Sequence, residues 1–278
     1  MRLLRGELRK LVRRPASFIT LGLTFGIVAL IYLAVAASFR AQGVTTDPSR
    51  LAERESVKLL LTFPGAFSGA LGLITGLGGL LAVAYGAAAA GADWGWGMVK
   101  VAVARGESRS RYLLTKLAAV AILLALGFAV AFAFAVGAAL VAGQVAGLGN
   151  GNLNDATALG KLPEQLGRGF LGIAEQGAVG FAIATFARSQ LAGLGSGIAL
   201  YFVEQFSTIF LPDIVKYLPF HVASASLRVG GSVGGGGGFG GGGPATLDPN
   251  LALALVLGYL VAAALVSAVI VERAEISG

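Results

Sequence analysis

Six apolar runs constrain this chain of 278 residues more than any other feature. A helix needs about 20 apolar residues to cross the hydrocarbon layer of a bilayer. The runs are Phe18–Phe39, Phe67–Ala90, Tyr112–Val141, Gly169–Ala187, Leu191–Leu211 and Leu251–Val271. The third is longer than a bilayer needs, so it is expected to project beyond it. Only Arg188, Ser189 and Gln190 part the fourth from the fifth, a length that suits a tight antiparallel turn. Apolar residues are 56% of the chain and charged residues 13%, where an ordinary soluble domain has about 25% charged. A soluble fold of this length has no interior large enough for so much apolar surface. The expected class is all-α: one polytopic transmembrane domain over residues 1–278 with six crossings.

Charge sets the expected orientation, because Lys and Arg collect on the cytoplasmic side. One set of connecting segments holds Arg2, Arg5, Arg9, Lys10, Arg13 and Arg14, then Lys100, Arg105, Arg109, Arg111 and Lys116, then Arg188 and Arg273. The other holds Arg40, Arg50, Arg54, Lys58, Lys161, Arg168, Lys216 and Arg228. The first set is larger and lies closer to the spans. Both termini are therefore expected in the cytoplasm, with the chain in the plasma (inner) membrane. The net charge of +7 suits an anionic lipid surface better than nucleic acid, since the cations flank apolar spans.

Leu4, Leu8, Leu11 and Val12 recur at helical spacing, while Arg2, Arg5, Arg9 and Arg13 fall mainly on other faces. This predicts an amphipathic helix over residues 1–15, lying among headgroups with its arginines on anionic lipid. Pro15 is expected to bend the chain into the first span. The charged head and Ala34-Val35-Ala36 resemble a secretory signal, but the apolar run exceeds the usual core of about 7–15 residues, so no cleavage is expected.

Between the second and third runs lies a polar step that begins Gly91-Ala92-Asp93-Trp94-Gly95-Trp96-Gly97-Met98-Val99-Lys100. Tryptophans beside glycines suit the membrane interface. Trp96, Val99 and Val103 give a short helix one apolar stripe. Gly106 can end it, and Ser108 can cap the helix that runs into the third span. A short helix rigidly joined to two spans suits a lever; an aromatic-anchored loop is the plainer alternative.

Asp93-Trp94-Gly95-Trp96-Gly97-Met98, Ala104-Arg105-Gly106-Glu107-Ser108-Arg109 and Leu114-Thr115-Lys116-Leu117 resemble the membrane subunits of type-2 ATP-binding-cassette (ABC) exporters. So do the basic helix before the first span, the turn Ala187-Arg188-Ser189 and the pair Leu218-Pro219. Two departures stand out: Asp93 where that family usually has Glu, and Met98 where Thr is usual. The resemblance implies a six-helix permease paired with a second permease subunit, in a homodimer or heterodimer. It also implies two copies of a separate ABC ATPase that carries ATP and Mg. The segment 93–111 would then hold the cytoplasmic coupling helix, with Asp93, Trp94, Trp96, Met98, Val99, Val103 and Arg105 facing the ATPase.

The chain itself shows no G-x-x-x-x-G-K-[ST] phosphate loop. Gly230–Gly243, within an extracytoplasmic loop over 212–250, lacks the following Lys-Ser or Lys-Thr and reads as a flexible linker. Cysteine is absent and His221 is the single histidine, so no His/Cys metal cluster is expected, and no cofactor on this chain. An enzyme is not expected: Ser196 has no base at its depth.

Glu175 and Glu204 fall inside apolar runs, followed directly by Gln176 and Gln205. An acid at mid-membrane costs about 2.5–3.5 kcal/mol on insertion scales, so it should face water or protein. The four residues are candidates for a polar outer vestibule on the translocation path. The competing reading, preferred for Glu175, leaves the acids solvated among headgroups. Leu218–Arg228 is expected as a short helix dipping back into the outer leaflet. Glycines four apart, at Gly22/Gly26, Gly65/Gly69, Gly72/Gly76 and Gly193/Gly197, predict tight helix contacts. An ATP-independent channel or secondary transporter is the alternative function; the latter usually shows an internal repeat, and none is visible.

Overall fold

The structure is a computed structural model. It describes all residues except Met1, 42–46, Trp96, Val99, Lys100, Ala102, Val103, Arg105, 229–246 and 274–278, and all side chains of the rest except those of Arg2 and Pro48. Gly230–Gly243 thus lies outside the described residues. The helices are α1 (Arg2–Val12), α2 (Pro15–Ala41), α3 (Pro48–Leu61), α4 (Gly65–Gly95), α5 (Arg109–Val145), α6 (Ala156–Ala187), α7 (Gln190–Ser207), α8 (Pro212–Val215), α9 (Pro219–Ser226) and α10 (Pro249–Arg273). No strand occurs among the described residues, where one isolated bridge pairs Phe63 with Gly151.

α2, α4, α5, α6 and α10 are long and apolar enough to cross a membrane, which makes this a multi-pass membrane protein. The expected run Leu191–Leu211 is different. Its helix, α7, stops at Ser207 after 18 residues, about 27 Å at 1.5 Å per residue. Gln190, Glu204 and Gln205 dilute its apolar character, so it does not qualify with the other five. α5 does overrun a bilayer, as its sequence implies: its 37 residues extend about 55 Å.

Local chemistry explains most boundaries. Arg14 ends its turn before Pro15, whose ring cannot continue the ladder of α1. Asp155 caps α6 through the amides of Thr157 and Ala158, and starts this helix well before the expected Gly169. Arg188 adopts a left-handed conformation at φ 50°, and Ser189 then caps α7 through the amide of Ala192. This is the tight turn expected there. Ser108 occupies the N-cap position of α5, but its side chain makes no capping hydrogen bond. α3 was not expected. Asp47 caps it through the amide of Ser49, and Pro48 fixes the backbone of its first turn.

The tightest contact joins α4 to α6. A Cβ on Gly86 would run into the carbonyl of Gly177, and one on Gly180 into that of Val83. Gly193 and Gly197 of α7 approach Ala184 and Val83 in the same way, as the spacing of small residues predicts. Gly22 and Gly26 of α2, and Gly76 of α4, do not follow the expectation: nothing lies within 4 Å of where their Cβ atoms would stand.

Contacts at the two ends of the bundle fix its polarity. At one end, Phe63 before α4 bonds to Asn150 and Asn152 after α5. At the other, the Arg109 guanidinium donates to the carbonyl of Glu272 at 3.5 Å, and Leu11 of α1 packs with Tyr112 and Val271. Both ends of the described chain therefore lie at the same end of the bundle as the segment 93–111.

Replacing Gly180 by leucine forces α4 from α6 and is expected to cost about 1–3 kcal/mol or more. Thermal unfolding in detergent should show a lowered midpoint, while Gly258→Ala on the exposed face of α10, which has room for a Cβ, should leave it unchanged.

Candidate functional site

Asp93 stands in the last turn of α4 and is 3% exposed. It belongs to the second long helix, not to a separate crossbar. Tyr112 donates to it at 2.6 Å, and the Lys116 ammonium pairs with the same oxygen. Lys10 and Arg14 approach its other oxygen at 3.3 and 3.4 Å. One carboxylate thus ties α1 and the start of α2 to α4 and α5. Lys116 is 1% exposed, although its sequence position suggests a cytoplasmic surface cation. Glu7 of α1 is buried as well and pairs with Lys10 at 3.7 Å. Three cations therefore face two acids. Burial of so many charges is tolerable only because each has a close counter-charge.

Around this node the other expected contact residues divide. Trp94 is half-buried, with the Arg188 guanidinium 5.5 Å from its ring centre, so it braces the turn between α6 and α7. Gly97 takes a left-handed φ of 64° and separates α4 from the next turn of chain. Met98 is half-buried and helical, as are Val101 and Ala104 in conformation. Trp96, Val99, Val103 and Arg105 lie outside the described residues. Of the proposed membrane-surface arginines, Arg5, Arg9 and Arg13 are exposed, whereas Leu3, Leu4, Leu8 and Leu11 pack inward; the side chain of Arg2 is not among those described.

The second cluster lies toward the opposite end, well inside α6 and level with the middle of α4. Glu175 and Glu204 are both 0% exposed, which overturns the solvated reading preferred for Glu175. Glu204 accepts from the His221 amide at 2.7 Å, and the His221 ring Nδ1 lies 2.8 Å from the same oxygen. Its second oxygen, both oxygens of Glu175 and the amide oxygen of Gln176 have no hydrogen-bond partner among the described residues. The two acids lie near one another and near Tyr259 of α10. Gln176, 2% exposed, lies against Gly79 of α4. Gln205 is only half-buried and, next to Glu204 on one helix, points roughly 100° away from it. The structure thus brings Glu175 and Glu204 together but not Gln205.

α9 completes this end. Val222, Ala223 and Ser226 are fully buried, and Val222 and Ala223 pack with Ala252 and Val256 of α10, so a short helix is present within the expected Leu218–Arg228. Arg168, expected in an outer loop, lies within α6 at 7% exposure. Its guanidinium donates to the carbonyls of Ser226 at 3.3 Å and Pro249 at 2.9 Å, to Asn250 Oδ1 at 2.8 Å and to Glu164 at 2.9 Å. It therefore holds both ends of the connection between α9 and α10. Two residues missed as functional candidates are Arg168 and Lys116. Both are basic residues at the margins of apolar runs, the one signal that could have marked them for burial.

Among the described residues no group of three or more His, Asp and Glu is placed to hold a metal ion. No family model matches the chain, and no curated protein matches it either.

Removing one member of a buried ion pair strands its partners, a loss of about 3–5 kcal/mol. Asp93→Asn should therefore destabilise strongly. Adding Lys116→Met to Asp93→Asn should recover part of the loss, because one stranded cation is removed; a double-mutant cycle of thermal unfolding reads the coupling. Arg168→Met should free the connection between α9 and α10 and raise the rate of maleimide labelling of an otherwise silent Ser226→Cys.

Proposed function

We propose that this chain is the permease subunit of an ATP-driven ABC exporter, crossing the plasma membrane six times, with α7 as the short fifth crossing and both termini cytoplasmic. The Asp93 node carries the reading. A carboxylate at the junction between a long helix and a polar step, bonded to α1 and to α5, makes those elements move as one. A push on the segment 93–111 by a partner ATPase would reach three helices through it. The exposed Arg5, Arg9 and Arg13, with Arg2, would rest on anionic headgroups, and α1 would be the amphipathic element that carries them. Cations crowd this end of the bundle, in keeping with the cytoplasmic side.

The far end then acts as the exit gate. α9 plugs it, held by Glu204 through His221 and by Arg168 through the chain on either side. In the outward state Glu175, Gln176 and Glu204 would line the path. The working unit would pair two permease subunits with two ATPase copies, and ATP and Mg would bind only to the latter.

Purification of the full chain from its native cells should bring down an ATPase bearing a Walker motif. Val103→Asp, in the proposed docking segment, should abolish that association while the permease stays monodisperse. Retention of the ATPase by Val103→Asp, or labelling of residues 93–105 from the outside of intact cells, would overturn the proposal.

A second reading, an ion-coupled secondary transporter, draws on the buried acids Glu175 and Glu204. Vesicles holding this chain alone and given a proton gradient separate the two. The exporter reading expects the gradient to decay as in empty vesicles. A faster decay that Glu204→Gln abolishes would favour the second reading.

A further inference from the structure

An unexplained feature lies between α2, α4 and α5. A cavity of about 250 Å³ runs there, lined almost wholly by apolar atoms. Its walls extend from Tyr85 to Ile74 on α4 and from Leu123 to Ala131 on α5, roughly 12–16 Å at 1.5 Å per residue. It opens sideways: Phe18 on α2 and Leu126 and Val130 on α5 line it and are exposed. The helices that frame it are membrane spans by length and composition, so lipid lies outside this mouth.

The lining selects a hydrocarbon occupant. The hydroxyls of three of its four polar side chains, Ser17, Thr24 and Tyr85 but not Thr20, already have partners among the described residues. The hydroxyls of Ser17 and Tyr85 bond to each other at 3.0 Å, and Thr24 donates to the carbonyl of Thr20 at 2.8 Å. Water needs two to four polar partners to settle in a cavity, and these walls offer little. A helix from a second copy is too large, because a cylinder about 10–12 Å across displaces several times this volume over the same length. A single acyl chain fits both the width and the chemistry. Gly127 adds room on α5, with nothing within 4 Å of where a Cβ would stand.

One end of the cavity reaches Val12, the last residue of α1. Arg13 comes directly after it and is exposed; Arg9, one turn earlier, is exposed too. The Arg13 amide donates to the Arg9 carbonyl at 3.3 Å, so the helical turn continues to Arg13 and the two cations share a face beside Val12 at this end of the cavity. We propose that this groove is a binding site for one anionic phospholipid, its acyl chain between α2 and α5 and its phosphate on Arg13 and Arg9. The proposal needs only that the spans lie in lipid; it does not depend on an ATPase partner.

The test reconstitutes the full chain in vesicles of phosphatidylcholine with a minor fraction of phosphatidylglycerol, then extracts it and measures retained lipid by native mass spectrometry. The wild type should keep phosphatidylglycerol in preference to phosphatidylcholine. Gly127→Phe, which fills the groove, should lose the retained lipid. Gly258→Phe, on the exposed face of α10, should keep it. Arg13→Gln, at an exposed position, should keep lipid but lose the preference for phosphatidylglycerol. Equal retention by the wild type and Gly127→Phe, equal loss in Gly258→Phe, or an unchanged preference in Arg13→Gln would overturn the proposal. Should Gly127→Phe fail to fold, phosphatidylglycerol with a photoreactive acyl chain decides on the wild type. Crosslinks at Phe18, Leu126 or Val130 support the site, and crosslinks confined to other helices, or a link to a second copy of the chain at this mouth, overturn it. Failure to find an ATPase partner would leave each of these outcomes unaffected.

Discussion

The close contact of α4 on α6 is the constraint on which the rest of the structure depends. In lipid, apolar side chains gain little by meeting one another, so association rests on packing and on satisfied polar groups. Gly86 and Gly180 let the two backbones approach until each fills the space a side chain would take on the other. With that distance fixed, the depth of everything on these helices is fixed. Asp93 comes to the level of Lys10, Arg14 and Lys116 at one end. Gln176 comes against Gly79, and Glu175 beside it comes under α9 and α10 at the other.

The two polar clusters solve the same problem differently. Ionised side chains away from water need close partners of opposite charge. The Asp93 node supplies three, Lys10 on α1, Arg14 at the junction with α2 and Lys116 on α5, and adds a hydrogen bond from Tyr112. The Glu175–Glu204 cluster supplies few: one oxygen of Glu204 is shared by the amide and ring of His221, and the remaining acceptors of both acids find no protein donor among the described residues.

Much of this layout was legible in the sequence. Apolar run length identified α2, α4, α5, α6 and α10, and the excess length of α5 was visible in the run Tyr112–Val141. Arg188–Gln190 announced its own turn, because three residues leave few ways to reverse a helix. Pro219 and the apolar residues after it announced α9. Other features turn on contacts that a linear pattern does not carry. Gly22 and Gly26 have the spacing of a packing motif, yet nothing approaches them, since spacing alone does not say which face meets a neighbour. Glu175 reads as close to a helix end and hence to water, but α6 begins at Ala156, placing Glu175 well inside. The polar character of residues 156–168 hid that extension. Arg168 reads as a loop cation for the same reason, while its bonds to Ser226 and Pro249 involve carbonyls, which have no sequence signature. Lys116 reads as a surface charge because nothing local shows that Asp93 lies opposite.

The contrast between the two ends bears on where such a molecule can change shape. At the Asp93 end, separating α1, α4 and α5 would strand several buried charges at once, and stranding even one costs about 3–5 kcal/mol. That end resists opening and moves as a block. At the α9 end the buried acceptors already lack donors, so admitting water or a polar ligand would add hydrogen bonds where there are now none. Opposing this are the bonds of Arg168 and the His221–Glu204 contact. These are few, and the helix they hold has only eight residues, so it can shift without breaking a span. Displacement of the stiff end is thus relieved at the end where polar groups have most to gain, and the long helices α4 and α6, held together by their glycines, connect one to the other.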